Sequence, residues 1–214
     1  MYICIPEVSA SSRGWEGLYD VSLCLTKNGS VVGENLDPSE EISLYIITGA
    51  NQGGKSTFLR SMGQAQLMAQ CGMPVGAKHF IFPVREAVYT HFKREEDSSI
   101  KSGKLDEELR RLDGIVSRME RNSLIMFNES FAATNEREGS EISGQITRAL
   151  TESGIEVFSV THLTTFATSF LGTEGARFLR AERLSSGERT FRVHEGEPLK
   201  TAFGEDLYKK IFPE

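Results

Sequence analysis

Cysteine is sparse in this sequence. The three residues present among 214, Cys4, Cys24 and Cys71, are odd in number and lack C-x-x-C spacing, so neither a disulfide framework nor a zinc site is expected. A reducing, cytoplasmic setting is the corresponding expectation. Long apolar runs are also missing: none approaches the ~18 residues needed to span a bilayer, and Met1 to Arg13 has neither the basic start nor the apolar stretch of a secretory signal. Membrane insertion and export are therefore not expected. Basic charge is outweighed, with 24 Lys and Arg against 30 Asp and Glu and a net charge of −6. That balance suits a domain gripping nucleic acid through a basic face poorly, but it is compatible with polyphosphate bound at one local site. There is no low-complexity tract, internal repeat or linker. With 39% hydrophobic and 25% charged residues, the chain has the composition of a folded protein, and its length predicts one domain over residues 1–214.

The pattern predicts strands alternating with helices, an α/β class with a mainly parallel central sheet flanked by helices. Val21, Leu23 and Leu25 alternate with Ser22 and Cys24, as in a half-buried strand of a small antiparallel β region near the N-terminus, with a turn at Asn28-Gly29 before Val31-Val32. Leu44 to Thr48 reads as a buried strand, followed by a glycine-rich loop and an amphipathic helix through Phe58, Met62, Ala65 and Met68. Short strands are predicted near Phe80 to Phe82 and Ala87 to Phe92, then an exposed polar segment, Lys93 to Gly103. A helix through Leu105, Leu109, Leu112, Val116 and Met119 follows. Buried strands are expected at Leu124 to Phe127 and Ile155 to Val160. Between them lies a helix marked by Ile142, Ile146 and Leu150 and stopped by Gly154. Two more strands, Arg177 to Ala181 and Thr190 to Val193, and a last helix, Glu205 to Ile211, complete the prediction.

Gly49-Ala50-Asn51-Gln52-Gly53-Gly54-Lys55-Ser56 satisfies G-x-x-x-x-G-K-[ST], the loop whose backbone N–H groups and following helix N-terminus cradle phosphates. Glycines are required because the backbone must turn sharply and approach anionic oxygens closely. A chance match in a chain this long is on the order of one per cent, and here a buried strand precedes the loop and a helix follows it. Lys55, on an exposed loop, is expected to reach the β and γ phosphates, and Ser56 to offer its hydroxyl to Mg²⁺. The strand Leu124 to Phe127 ends in Asn128-Glu129, where ligands collect at the carboxyl ends of parallel strands. Glu129 is a candidate general base for the water that attacks a γ-phosphoryl group. Asn128 stands where many such ATPases have aspartate; it keeps one acceptor for a magnesium-bound water and contributes no charge.

Together, Thr48 to Thr57, Asn128-Glu129 and Thr161-His162 resemble the ATPase domain of the MutS mismatch-repair family, part of the ABC ATPases, over roughly residues 15 to 210, with departures that imply a MutS-related branch. The resemblance implies a P-loop fold of ABC type and a nucleotide-dependent homodimer in which two ATPase domains meet head to tail. It implies ATP and Mg²⁺ as cofactors, with Gly49 to Thr57 on the nucleotide, Ser56 and Asn128 at the metal, and Lys55, Glu129 and the switch histidine His162 as the catalytic set. Ser102-Gly103 resembles the signature turn that faces the opposite subunit's γ-phosphate, with Lys104-Leu105-Asp106 replacing the family's Gln-Ser-Thr-like run. Thr134-Asn135 and Gly139 resemble the interface segment, with Phe131-Ala132-Ala133 in place of a Gly-Arg-Gly type turn. Val31 and Val32 fall where the family packs apolar side chains beside the base, and an ordinary core position is the other reading.

No segment resembles the family's mismatch-reading, connector, lever or clamp regions, and its helix-turn-helix extension is not found after Phe212. An isolated ATPase domain or fragment is therefore expected, with DNA contacted through regions outside this chain. Two other functions fit parts of the sequence. One is a nucleotide-gated interaction module that hydrolyses ATP poorly because Asn128 weakens metal binding. The other is a small-molecule P-loop kinase, disfavoured by the Arg-poor span Gly139 to Gln145.

Overall fold

The computed structural model describes residues 1–28, 31–93, 103–198, 208, 211 and 212. Its elements are β1 (Glu7–Ser9), β2 (Arg13–Leu18), α1 (Val21–Thr26), β3 (Glu34–Ser39), β4 (Leu44–Gly49), α2 (Lys55–Gln70), β5 (His79–Pro83), β6 (Val88–Phe92), α3 (Lys104–Val116), β7 (Leu124–Asn128), α4 (Glu136–Glu152), β8 (Glu156–Val160), α5 (Thr164–Thr168), β9 (Ala176–Arg183) and β10 (Arg189–Glu195). The fold is α/β, with two sheets, one of them rich in parallel pairs. Cα packing divides the chain into two compact units. The first comprises Met1–Glu41, Ile47–Val84 and Phe178–Glu214, and the second Ile42–Ile46 and Arg85–Arg177.

In the first unit one sheet has the order β1-β5-β2-β3. β2 pairs antiparallel with both β5 and β3, and β1 runs parallel to β5. Trp15 lies between Phe58 of α2 and Phe80 of β5, with ring centroids 5.8 and 6.0 Å away. Phe58, Leu59, Met62, Ala65, Gln66 and Ala69 form the buried stripe of α2, the spacing by which a 3.6-residue period keeps one face dry. β9 and β10 form an antiparallel pair whose register shifts between Arg189 and Val193.

In the second unit β6, β7 and β8 pair in parallel, Phe92 facing Asn128 and Asn128 facing Val160. All of Leu124 to Phe127 and Glu156 to Val160 is buried, as expected of strands covered on both faces. Tyr45 of β4 stacks on Phe158 of β8 at 4.1 Å between ring centroids. α4 turns a small-residue face inward, with Gly139, Ser140, Ser143, Gly144 and Thr147 buried.

One expected strand is a helix. The alternation of Val21, Leu23 and Leu25 lies in α1, whose start is capped by Asp20 accepting from the Leu23 N–H, and among its residues only Cys24 is buried. A side-chain cap that satisfies an orphan donor outweighs a short two-residue period. The small sheet near the N-terminus is built instead from β1, β2, β3 and β5. The polar segment, apart from Lys93 and Gly103, and the turn residue Gly29 lie outside the described residues, as do most positions of the last helix. Among the described residues no helix is long and apolar enough to cross a membrane, and Cys4, Cys24 and Cys71 are free.

Candidate functional site

In the first unit β4 ends at Gly49 and α2 begins at Lys55, so the intervening loop is anchored at both ends. Gly49 has φ +113°, and a Cβ there would come within 2.9 Å of the Ala181 backbone. A Cβ on Gly53 would meet Ala181 Cβ and the Ala50 carbonyl at 2.8 Å, and Gly54, at φ +94°, lies against the Phe191 carbonyl. The loop is thus drawn tight by contacts that only glycine permits. Asn51 and Gln52 are exposed, while Ala50 is buried. Lys55 is 5% exposed, and its Nζ donates to the carbonyls of Gly49 and Ala50 at 3.0 and 2.9 Å. The lysine expected on an exposed loop is buried and held by the loop itself. Ser56 and Thr57 occupy the first turn of α2.

Beside the loop, in the same unit, a cavity of about 400 Å³ is lined by Val31, Val32, Glu34, Gly54, Thr57 and Phe191, among others. Val31 and Val32 therefore border a cavity and not a closed core, and Val32 is 36% exposed. Glu34 is 5% exposed. Burial pushes its carboxyl up to about 7, although the Val193 N–H and the Arg192 charge pull the other way. Sequence reasoning missed Glu34, Phe191 and Ala181. The first two line the cavity, and all three approach the loop or cavity only through tertiary folding.

In the second unit β7 delivers Asn128, half-buried, to its carboxyl end. Glu129 follows at φ +54°, its N–H donating to the Val160 carbonyl at 2.9 Å. Glu129 Oε1 and His162 Nε2 are 2.8 Å apart, so two residues 33 positions apart in the chain meet directly. Phe131 also has a positive φ, +60°. A non-glycine residue in this region carries strain of about 1–3 kcal/mol that the surroundings must hold.

Those surroundings are a buried network absent from the sequence reading. Glu108 of α3, 5% exposed, accepts the Phe131 N–H at 2.9 Å. His91, fully buried, stacks on the Phe131 ring at 5.4 Å between centroids. The Ser130 hydroxyl donates to the His91 carbonyl at 2.7 Å and lies 2.7 Å from His91 Nδ1. Nδ1 thus faces the Ser130 hydroxyl, while Nε2 lies 3.1 Å from the Glu108 carbonyl and 3.2 Å from Arg111 Nη2. Burial, with Arg111 alongside, holds the His91 pKa down to about 4. Burial likewise raises the Glu108 pKa.

Asn135 caps α4 by accepting from the Glu138 N–H at 3.0 Å. A Cβ on Gly139 would sit 2.7 Å from the Phe131 carbonyl, so Thr134 to Gly139 packs directly behind the carboxylate turn. Gly103 precedes α3 in an extended conformation, and Ser102 lies outside the described residues. Among the described residues no group of three or more His, Cys, Asp or Glu could hold a metal ion. The oxygen donors expected at a metal, the Ser56 hydroxyl and the Asn128 amide, are hard ligands of the kind that suit Mg²⁺ retaining its own waters.

A family model described as MutS domain V matches residues 45–191. A DNA mismatch repair protein MutS from Thermotoga neapolitana is 30% identical over 168 residues, covering 77% of this chain and 21% of that protein. An Endonuclease MutS2 from Streptococcus agalactiae is 29% identical over 203 residues, 91% of this chain and 25% of that protein. One from Thermus thermophilus is 31% identical over 136 residues, 64% and 18%. This chain thus spans only about a fifth to a quarter of these relatives. The family expectation is corrected accordingly. The family model spans 45–191 and the alignment to the Streptococcus agalactiae protein 203 residues, and relatives named Endonuclease MutS2 stand beside those named for mismatch repair, so assignment to a mismatch-repair family is too narrow.

Proposed function

We propose, from the premise that this chain belongs to the MutS domain V family, that it binds and hydrolyses ATP as a P-loop domain of ABC type. The observation that carries this reading is the glycine cradle at Gly49, Gly53 and Gly54, closing on a buried Lys55 at the N-terminus of α2. A backbone loop so constrained, with a helix dipole behind it, suits a polyphosphate. Lys55 exchanges its two carbonyl partners for phosphate oxygens. Ser56 and Asn128 would hold Mg²⁺, which would neutralise charge on the phosphates.

Glu129 takes the proton from water as the water oxygen bonds to the γ-phosphorus and the bond to the ADP oxygen breaks, leaving ADP and inorganic phosphate. His162, already hydrogen-bonded to Glu129, orients that carboxylate and senses the γ-phosphate. A nucleotide-dependent head-to-tail homodimer brings Ser102 and Gly103 of one copy to the phosphate of the other. Closure is transmitted to DNA-handling regions outside this chain, in keeping with the DNA-linked names of the relatives. A cytoplasmic setting accompanies this reading and accords with the free cysteines.

Asn128 supports a second reading, a nucleotide-gated interaction module with little turnover, since the amide contributes no charge at the metal. Measuring ATP affinity and Mg²⁺-dependent phosphate release on the wild type and Glu129→Gln separates the two. The ATPase reading expects release that falls about 10²-fold or more in the variant while ATP affinity persists. Tight binding with no release from the wild type favours the gated module.

A further inference from the structure

The cavity beside the phosphate loop contains one feature that phosphate binding does not use. Glu34 opens β3 and is buried, and its Oε2 accepts the Val193 N–H at 2.8 Å. Among the described residues Oε1 has no hydrogen-bond partner, and the side chain borders the cavity. Oε1 retains some solvent exposure and faces the cavity, where a ligand can take the place of water. The register shift in β10 between Arg189 and Val193 accounts for both halves of the arrangement. It turns the Val193 N–H onto Glu34, and it leaves Phe191 at φ +59°, 53% exposed, on the cavity wall. A bulky residue held in that strained conformation with its ring unburied points to a ligand face. Val31 and Val32 add apolar wall, and the volume of about 400 Å³ suits a small-molecule site.

We propose that Glu34 is the base-reading residue of this chain, its Oε1 meeting the Watson–Crick edge of a purine held beside Phe191 and Val32, and that in its neutral form it selects adenine over guanine. This rests on the nucleotide-binding reading above and specifies the ligand of that site. The chemistry follows from donors and acceptors. With Oε2 occupied by an N–H, the proton of the neutral carboxyl sits on Oε1 and makes it a donor. Adenine presents an acceptor at N1, whereas guanine presents N1–H, which opposes the donor. The ionised carboxylate can only accept, so it loses its bond to adenine N1 and, with it, the preference for adenine.

The carboxyl has an equilibrium near neutrality, so the preference is expected to shift with pH. The charged groups around it are Arg192 on β10 and Glu182 on β9, with Asp20 and Lys27 flanking α1 on the cavity wall. α2 presents the uncharged Thr57 and Ser61. Asp20 is paired with Arg60 at 3.1 Å.

Calorimetric binding of ATP, GTP and inorganic tripolyphosphate to wild type, Glu34→Gln and Glu34→Leu, at about pH 6 and about pH 8.5 either side of the Glu34 transition, tests this. The wild type should prefer ATP to GTP about tenfold at the lower pH, the scale of one hydrogen bond, and lose most of that preference at the higher. Glu34→Gln, which keeps a donor, should hold the preference at both. Glu34→Leu should lose it, with tripolyphosphate affinity unchanged throughout. An ATP-to-GTP ratio that is independent of pH in the wild type, or that survives in Glu34→Leu, overturns the proposal while leaving the phosphate loop intact. Failure of tripolyphosphate and both nucleotides to bind overturns both. If Glu34→Leu does not fold, the pH profiles of wild type and Glu34→Gln decide.

Discussion

The phosphate loop and the carboxylate turn solve the same problem, holding backbone in a left-handed conformation, by opposite means. At Gly49 and Gly54 the positive φ falls on residues without a Cβ, and close backbone neighbours fill the space, while Gln52, at φ +60°, carries its side chain into solvent. At Glu129 and Phe131 it falls on residues with large side chains, and a buried network of Glu108, His91, Ser130 and Arg111 holds the turn. The first solution writes itself into the sequence as a spacing of glycines. The second leaves no local mark, because its parts come from β6, α3 and the turn itself. A phosphate loop tolerates little change at a few positions; the carboxylate turn depends on the sum of several side-chain bonds.

The largest expected effect is at the loop. Lys55→Ala should weaken ATP binding by about ten- to a hundredfold, the scale of charge-assisted hydrogen bonds, as read by equilibrium titration. Because Lys55 is buried and also bonds two loop carbonyls, a lowered melting temperature is expected too. Retained affinity would remove the lysine from the phosphate site.

Next come the pH limits, which oppose the two regions directly. The Glu34 pKa is raised from 4.5 to about 7, so its contribution to stability is complete below the unfolded value and is lost as pH rises through about 7. The His91 pKa is lowered from 6.5 to about 4, so its contribution is complete above the unfolded value and is lost as pH falls through about 4. Each spans about 3 kcal/mol at most. Denaturant melts should therefore show Glu34→Gln more stable than wild type at about pH 8.5 and no different below about pH 4.5. His91→Gln should flatten the acid limb, at some cost in stability near neutrality. An unchanged acid limb would mean that His91 does not control it.

The network behind the turn predicts a smaller loss. Glu108→Ala leaves the buried Phe131 N–H without its acceptor and should cost about 1–3 kcal/mol, with phosphate release falling more than ATP affinity. Glu108→Gln, which retains an acceptor, should recover most of both; equal losses in the two variants would point to packing alone.

The smallest expected change is at Asn128. Replacing it with aspartate adds a charge near the metal, worth about 1 kcal/mol at 4 Å in water-like surroundings, or about fivefold in the Mg²⁺ concentration for half-maximal phosphate release. No shift, with a lower melting temperature, would make Asn128 a structural accommodation to its half-buried position.

What could be read without a structure follows the same division. The strands at Leu44, Leu124 and Ile155 were legible because short apolar, β-rich runs dominate them and their residues are buried. The phosphate loop was legible because its backbone leaves no room for a Cβ at Gly49, Gly53 and Gly54. β2 was not, since Gly14 and Gly17 interrupt it and its pairing with β3 shifts register twice. β3 carries Pro38, tolerated at the sheet edge and a standing argument against a strand when met in sequence. α1 was misread because six residues hold too little periodicity to compete with a chance alternation, although Asp20 at its start was an available signal. Glu129 and His162 were singled out from strand ends and family resemblance, but their contact, like the meeting of Glu34 with Val193 159 positions away, exists only in three dimensions.

If Gly49 to Thr57 holds the phosphates of ATP while Glu129 and His162 act on the terminal one, a bound nucleotide must show it. A crystal structure with a non-hydrolysable ATP analogue and Mg²⁺ tests it most directly. Lys55 Nζ is expected on the β and γ phosphates in place of the Gly49 and Ala50 carbonyls, Ser56 at the metal, Glu129 facing the γ-phosphate through one water, and Ser102 of a second copy on the opposite side. A nucleotide bound elsewhere, or one bound in the loop with Glu129 and His162 remote from the γ-phosphate, would contradict it.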